Sequence, residues 1–302
     1  MSLISGCSGF VSRHLCKSLS EQGHIVHGLD KVKPEKNIGL DTFIEMDLCE
    51  LDKPGDYRWL EGYDYIFHLA AETALGTSEN WLVDVNKFYK VNTKATLNLL
   101  KYSDPTKFIF TSTAALYGEG NFFKETDAVK CNNGYGFSKA VAETIIVASG
   151  KPYCIFRPGT IVGPWGRSVL NRFTYDCVKG KTSNVFNHGY NKRSFIDVQD
   201  VVSGLIAGMD LSGTFNLASS EGSKVGDVMD YIAEVGREYG YLYDFKTIDN
   251  IPDGLAKCVT LDNSKLIKTG KWKPVIESKQ MIERLFDHYV KRKCVVEPPE
   301  WR

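Results

Sequence analysis

The sequence predicts an α/β protein with a doubly wound parallel sheet, followed by a smaller C-terminal α/β domain. Three observations support this fold class. Short apolar segments alternate with amphipathic ones, a glycine-rich turn separates the first strand from the first helix, and segments 65–67 and 108–110 are continuously apolar. Alternating strands and helices are typical of β-α-β units, and continuously apolar strands are typical of sheets covered on both faces.

The elements of the first half follow one another regularly. Residues 3–4 enter the glycine-rich turn, and the amphipathic stretch 11–22 predicts a helix that Gly23 ends. Later apolar segments and amphipathic stretches predict strands over 25–30, 42–48, 65–70, 107–113 and 152–157, with helices over 81–101 and 136–149. In the second half, the patterns predict helices over 201–209, 225–239 and 278–291 and a strand over 214–217.

The composition is that of an ordinary globular protein. Of 302 residues, 43% are hydrophobic, and Lys+Arg and Asp+Glu both number 37, so the formal net charge is zero. A neutral chain has no global attraction to nucleic acid or to an anionic membrane, and we predict neither partner. No apolar run approaches the roughly 20 residues of a membrane span.

The cysteines indicate a reducing compartment. All eight are scattered, without a C-x-x-C pair or a cluster with histidine, which favours thiols over a zinc site or a disulfide framework. The N-terminus lacks the basic head and apolar block of a secretion signal. We therefore expect a cytoplasmic protein without a bound metal.

The glycine-rich turn, Gly6-Cys-Ser-Gly9-Phe-Val-Ser12, has the features of a pyrophosphate site. Its glycines let the backbone approach the ligand closely, and the helix N-terminus supplies N–H donors and a positive dipole end. Asp30 ends the next strand, 24 residues after Gly6, where a carboxylate accepts both ribose hydroxyls and repels a 2′-phosphate. The pattern predicts a Rossmann-type domain that binds NAD rather than NADP, although Lys31 and Lys33 weaken this preference. The alternative is a plain glycine turn.

Tyr135 and Lys139 lie four residues apart at the start of a predicted helix and therefore share one face. An ammonium beside a phenol favours the phenolate and lowers the tyrosine pKa toward the range of a general base. Thr113 ends the fifth predicted strand, at the carboxyl edge where open α/β sheets bind ligands, and its hydroxyl can hold a substrate oxygen against Tyr135. A chance surface pair and a β-prone Thr/Ser run are the alternatives.

Together these motifs resemble the extended short-chain dehydrogenase/reductase superfamily, in its NAD-dependent epimerase/dehydratase branch. The resemblance covers nearly the whole chain. It rests on Gly6–Ser12, Asp30, Asp47-Leu48, 68–71, Asn92, 111–118, 135–139, 157–164, 193–200, Asn216, 262–265 and 270–274.

The resemblance implies an NAD-binding domain over residues 1–160, joined by part of 192–218, and a substrate-binding domain over 161–302. It also implies a homodimer, formed by the helices around 81–101 and 134–149. The cofactor-binding residues that it implies are Gly6, Gly9, Phe10, Val11, Asp30, Asp47, Leu48, Leu69, Ala70, Ala71, Asn92, Tyr135 and Lys139. The catalytic residues are Thr113, Tyr135 and Lys139, and those that bind substrate are Thr113, Tyr135, Thr160 and Arg193.

The two residues after Thr113 reduce the number of candidate reactions. Sugar 4,6-dehydratases of this superfamily place an Asp-Glu pair there and related decarboxylases a Glu, whereas this chain has Ala114 and Ala115, which cannot move a proton. The chain resembles the sugar 4-epimerases, in which the tyrosine takes a hydroxyl proton while a hydride passes to NAD and returns on the other face. A keto-sugar reductase or dehydrogenase is the alternative, and a non-catalytic nucleotide-binding protein is a third.

The resemblance places Arg193 against the diphosphate of a nucleotide-sugar substrate. The alternative is a structural ion pair of Arg193 with Asp197 or Asp200. Thr160 stands where many members have an asparagine, and Lys257 stands in a stretch where many epimerases have a second phosphate-binding arginine. His68 is expected to pack at a strand end rather than to act as an acid or base.

Overall fold

A computed structural model of the chain describes residues 1–34, 38–53, 55–73, 81–219, 222–249 and 257–291. They form two compact units. The first comprises Met1–Tyr117, Ala128–Arg157 and Val202–Phe215. The second comprises Gly118–Asp127, Pro158–Val201 and the described residues from Asn216 onward.

In chain order the strands of the described residues are β1 (Ser2–Ser5), β2 (Val26–Asp30), β3 (Thr42–Glu45), β4 (Tyr65–His68), β5 (Lys107–Thr111), β6 (Gly120–Phe123), β7 (Tyr153–Pro158), β8 (Thr160–Val162), β9 (Ser183–Phe186), β10 (Lys192–Arg193), β11 (Phe195–Asp197), β12 (Gly213–Leu217), β13 (Ser223–Lys224), β14 (Phe245–Ile248) and β15 (Cys258–Leu261). The α-helices are α1 (Phe10–Glu21), α2 (Trp81–Phe88), α3 (Ala95–Tyr102), α4 (Gly134–Ala148), α5 (Val169–Val178), α6 (Val198–Ala207), α7 (Val225–Glu238), α8 (Ser264–Ile267) and α9 (Ser278–Lys291).

The first unit is built on a sheet with the strand order β12-β7-β5-β4-β1-β2-β3. In this order, the neighbouring strands from β7 across the sheet to β3 pair in parallel. Because β1 lies between β2 and β4, the chain winds outward from β1 in both directions, and the carboxyl edge beside β1 is the switch point at which such folds bind ligands. The predicted fold class, a doubly wound parallel sheet of Rossmann type, is confirmed.

The core of the first unit explains the continuously apolar strands. Ile66, Phe108 and Phe110 are fully buried and pack with helix residues such as Leu99 and Ile146. Strands buried on both faces need apolar residues at successive positions, and residues 65–67 and 108–110 meet this need.

The second unit contains the sheet β13-β10-β15-β6 and the two-stranded sheets β11-β8 and β14-β9. Its core lies among α5, α7 and α9, where Phe173, Ile232, Leu285 and Phe286 are buried together. Residues 118–127, which the sequence assigned to the first domain, belong to this unit because β6 within them pairs with β15.

At two of the predicted elements whose lengths differ from the observed ones, an aspartate that caps a neighbouring turn sets the boundary. The predicted strand 42–48 ends at Glu45, since Asp47 accepts a hydrogen bond from the N–H of Cys49 at 2.9 Å and begins a helical turn. The predicted helix 201–209 begins at Val198, since Asp197 accepts one from the N–H of Gln199 at 2.7 Å. Among the described helices, none is long and apolar enough to cross a membrane.

Candidate active site

The loop between β1 and α1 brings the main chain unusually close to the loop after β4. Gly6 has φ +72°, and a Cβ there would lie 2.6 Å from both the Cα and the N of Ala70. Glycine is the residue that satisfies both constraints. Gly9 is the N-cap of α1 and has no side chain to bond the first N–H groups, which therefore suit an anion.

Asp30 is tied to the glycine-rich loop. Its Oδ2 accepts a hydrogen bond from the N–H of Ser8 at 3.0 Å, and its Oδ1 accepts one from the N–H of Val32 at 3.1 Å. These bonds orient the carboxylate at the carboxyl end of β2. Each carboxylate oxygen can accept a further hydrogen bond, so the group retains capacity for ribose hydroxyls.

A cavity of about 170 Å³ lies at this edge of the first unit. The predicted cofactor residues that line it are Gly6, Gly9, Asp30, Asp47, Leu48, Leu69, Ala70 and Ala71. Phe10 and Val11 begin α1 beside it. The close approach at Gly6, the uncapped helix N-terminus and the oriented acid together fit a dinucleotide.

Asn92 contacts a segment that lines this cavity. Its Oδ1 accepts a hydrogen bond from the N–H of Glu72 at 2.8 Å, and its Nδ2 donates to the carbonyl oxygen of Glu72 at 3.0 Å and to the hydroxyl of Ser138 at 2.9 Å. Asn92 lies in the π-helical turn Tyr89–Lys94 between α2 and α3, within the predicted helix 81–101. Its carboxamide therefore holds the segment after β4, where Glu72 lines the cavity.

The three predicted catalytic residues lie together at the end of β5. Asn133 caps α4 by accepting a hydrogen bond from the N–H of Gly136 at 2.8 Å, and Tyr135 follows in the first turn. The Tyr135 and Thr113 side chains are hydrogen-bonded to each other. The ammonium of Lys139 donates to a main-chain carbonyl of β5 and lies 4.5 Å from the centre of the Phe110 ring.

Burial has the largest effect on the pKa values of Tyr135 and Lys139. It raises the pKa of Tyr135, against the hydrogen bond from Thr113, and lowers the pKa of Lys139 to about 7, against the nearby carboxylate of Glu143. The expected lowering of the tyrosine pKa by the lysine is therefore not the main effect on Tyr135. A positive charge close to both groups, as an oxidised nicotinamide ring carries, would favour the phenolate.

His68 is fully buried at the end of β4. Its Nδ1 lies 2.6 Å from the hydroxyl of Ser5, and its Nε2 lies 2.9 Å from that of Thr96. Burial, with a smaller effect of Lys139, lowers its pKa to about 3. The ring is therefore neutral and packed, as predicted.

The second unit contains a separate cavity of about 410 Å³, and Arg193 lines it. The guanidinium donates to the carbonyl oxygens of Lys192 at 2.7 Å and Lys257 at 3.3 Å. Asp197, one of the alternative partners, has its Oδ2 3.2 Å from Nε of Arg284. Asp200, the other, accepts hydrogen bonds from the N–H groups of residues 275 and 276.

Thr160 begins β8 and pairs with Phe195 of β11 in this unit. Besides Arg193, the residues that line the cavity of the second unit are Val169, Arg172, Phe173, Asp176, Thr182, Ser183, Asn184, Phe186, Asn191 and Val225.

A comparison with known protein families settles the relationship. Residues 2–218 match the model of the NAD dependent epimerase/dehydratase family. The chain belongs to this family. The resemblance predicted from the sequence motifs is thereby confirmed.

Members of the epimerase/dehydratase family with similar sequences include two bacterial proteins. An uncharacterised UDP-glucose epimerase of Bacillus subtilis is 29% identical over 77% of this chain and 81% of its own length. A UDP-N-acetyl-alpha-D-glucosaminuronate decarboxylase of Bacillus cytotoxicus is 29% identical over 69% of this chain and 70% of its own. In structure, the chain is similar to a UDP-glucuronic acid 4-epimerase from Bacillus cereus, with a TM-score of 0.84 and 23% identity over 96% of this chain and 99% of that one.

Sequence reasoning missed several residues of the first cavity. Leu29 and Met46 line it close to the ends of β2 and β3, and their strand-end positions beside Asp30 and Asp47 were a signal that could have found them. The others are Cys49, Glu72, Val91 and Ala95, and Lys31, which the sequence placed beside Asp30, lines the cavity as well. Val91 and Ala95 depend on the π-helical turn, which the family motifs do not mark.

Proposed function

We propose that the protein is an NAD-dependent epimerase that inverts C4 of a nucleotide-diphosphate sugar. The observation that carries the proposal is the grouping of Thr113, Tyr135 and Lys139 at the end of β5, in the unit whose cavity holds the dinucleotide residues. Ala114 and Ala115 follow Thr113 and carry no proton donor, which favours epimerisation over dehydration or decarboxylation.

The chain's residues have separate roles in this chemistry. NAD would be held by residues such as Gly6, Gly9 and Asp30, and it would supply reversible hydride transfer at the sugar carbon without net oxidation. Tyr135 takes the hydroxyl proton during oxidation and gives it back during reduction. Thr113 holds the same oxygen, and the charge of Lys139 favours the phenolate of Tyr135.

The cavity of the second unit supports a nucleotide diphosphate as the non-reacting end of the substrate. Arg193 offers a planar set of donors that suits a phosphate oxygen pair, and Asn184 and Asn191 line the same cavity as the aromatic ring of Phe186. Aromatic rings and amides are suited to stacking and hydrogen bonding with a base. The two epimerase relatives are named for UDP-sugars, and we propose UDP as the nucleotide.

The test begins with an absorbance scan of the purified protein and an analysis of any nucleotide that denaturation releases from it. The protein is then incubated with UDP-, dTDP- and GDP-sugars. The expected result is an isomeric sugar nucleotide without a steady change at 340 nm, lost in Tyr135→Phe. Tyr231→Phe is the matched control, because Tyr231 is 38% exposed on the second unit.

Steady formation or consumption of NADH would instead establish a reductase or dehydrogenase. A Tyr135→Phe protein that kept its full biological effect would favour the non-catalytic nucleotide-binding alternative.

We also propose a homodimer formed by α2, α3 and α4. The turn between α2 and α3, α3 itself and α4 carry large apolar side chains that are about half exposed, whereas surface positions of a lone unit favour polar residues. They are Tyr89 at 55%, Leu97 at 49%, Phe137 at 60% and Val147 at 51%.

A cytoplasmic location is part of the same proposal. Thiols persist in a reducing compartment. The described thiols are Cys7, Cys16, Cys49, Cys131, Cys154, Cys177 and Cys258; Cys294 lies outside the described residues.

A further inference from the structure

The face of α4 that carries Tyr135 and Lys139 continues one turn further to Glu143. The three residues are spaced by four, so their side chains follow one another along one side of the helix. Glu143 is 7% exposed. A buried carboxylate needs partners that pair with it and bond it, and these partners indicate what it holds in place.

The last residue of β5 and the two that follow it each contact one member of this row. The contacts are Nζ of Lys139 to the carbonyl oxygen of Thr111 at 2.8 Å, the hydroxyl of Ser112 to Oε1 of Glu143 at 2.5 Å, and the side chain of Thr113 to that of Tyr135. Strand end and helix are thus joined at three neighbouring points. The contact of Glu143 lies between the two that involve the catalytic residues.

Arg157 fixes Glu143 from β7. Its Nε lies 3.0 Å from Oε1 and its Nη2 lies 2.6 Å from Oε2 of the carboxylate, a two-pronged geometry that sets the orientation of both groups. Its Nη1 donates to the hydroxyl of Tyr117 at 2.8 Å. Tyr117 is fully buried and ends the helical turn Ala114–Tyr117 that follows Thr113. The Glu143–Arg157 ion pair therefore bonds residues on both sides of Thr113 in the chain, Ser112 and Tyr117.

The charged and titratable groups around this row come from several elements. His68 of β4 faces Lys139 and is neutral. Arg157 and Cys131 lie near Glu143, and burial raises the pKa of the Cys131 thiol. Of these groups, Glu143 supplies the negative charge beside Lys139, and it opposes the burial that lowers the lysine pKa to about 7.

We propose that Glu143 is a positioning residue: through Ser112 it fixes the strand end that carries Thr113, and its carboxylate balances the ammonium of Lys139. The catalytic consequence rests on the proposed function, whereas the effect on Lys139 is measurable in the protein without substrate.

The first experiment follows Lys139 by NMR of protein labelled with ¹³C-lysine, with its signal assigned by loss in Lys139→Met. The wild-type signal is expected to titrate with a pKa of about 7. The double variant Glu143→Gln/Arg157→Met removes the carboxylate that faces Lys139 without leaving the guanidinium of Arg157 buried and unpaired. Its Lys139 midpoint is expected to lie about one pH unit lower, because Glu143 is the member of the removed pair whose charge raises the Lys139 pKa.

The matched control is Asp197→Asn/Arg284→Met, which removes an aspartate–arginine pair of the second unit whose carboxylate is buried. The Lys139 midpoint is expected to stay in place there. An unchanged midpoint in the Glu143 double variant would overturn the electrostatic part of the proposal.

The second experiment separates the two roles in the reaction. Ser112→Ala keeps both charges and removes the contact with β5, and we expect kcat to fall roughly ten-fold at every pH, because misplaced groups react slowly, with KM unchanged. In the double variant the alkaline limb of the kcat profile is expected to move about one unit toward acid.

A Ser112→Ala enzyme with the kcat of wild type would overturn the positioning role, even if the double variant does not fold. A wild-type protein without epimerase activity would refute the proposed function, and the lysine titration would still decide the role of Glu143.

Discussion

The carboxylate of Asp30, at the end of β2, accepts a hydrogen bond at 3.0 Å from the main-chain N–H of Ser8, inside the glycine-rich loop. One side chain thus connects the positions that we propose for the adenosine ribose and for the pyrophosphate. Since both ends of the contact lie at the switch point of the sheet, the loop and the acid are set by the same strands.

Asp30→Asn is expected to weaken NAD binding roughly ten-fold or more, because hydrogen bonds to a charged group contribute about 1.5–3 kcal/mol each. The same change removes the repulsion of a 2′-phosphate, so NADP should bind relatively better. Isothermal titration with both nucleotides measures the two effects. The matched control is Asp41→Asn, since Asp41 also accepts a main-chain N–H, that of Val26 at 2.8 Å, at the amino end of these strands. Equal NAD affinity of both variants would contradict the assignment.

Gly6→Ala is expected to lower both stability and NAD affinity. The substitution costs about 1–2 kcal/mol for left-handed backbone in a residue with a Cβ, and its Cβ would also meet the main chain of Ala70 at 2.6 Å. Gly23→Ala is the matched control, because Gly23 has φ +81° and nothing within 4 Å of an added Cβ. Thermal unfolding and NAD titration of both variants isolate the close approach. If the two variants lost the same stability and bound NAD equally, the approach to Ala70 would have no role.

The sequence predicts the fold class and most of the residues that line the first cavity, because both depend on local chemistry. The role of a glycine, a strand-end acid or an apolar strand follows from its residue type and its place in the chain, as Gly6 and Asp30 illustrate. The contacts of Asn92 could not be predicted in this way, because they depend on a π-helical turn that directs the side chain to Glu72. The lowered pKa of Lys139 likewise depends on burial, which arises from tertiary packing.

His68 makes the stability of the fold depend on pH. Burial lowers its folded-state pKa to about 3, below the value of about 6.5 for an unfolded histidine. Below pH 6.5 the unfolded chain therefore binds a proton that the folded chain does not, and stability falls as the pH falls toward 3. One such proton contributes a slope of up to about 1.4 kcal/mol per pH unit. Urea unfolding between about pH 4.5 and 7.5, which covers the upper part of this window and the plateau above it, should show a shallower dependence in His68→Gln. Identical slopes would show that His68 titrates normally.

Phe137 offers a direct test of the proposed dimer. It lies on α4 two residues after Tyr135, with 60% of its surface exposed in the single chain. A carboxylate at the centre of an apolar interface loses hydration without gaining a partner, so Phe137→Glu is expected to give monomers. Sedimentation velocity over a range of concentrations measures the change. Leu242→Glu is the matched control, because Leu242 is an apolar residue of the second unit with 84% exposure, and it is expected to sediment as wild type does. Monomeric wild-type protein at every concentration would refute the dimer, and a dimeric Phe137→Glu protein would move the interface away from α4.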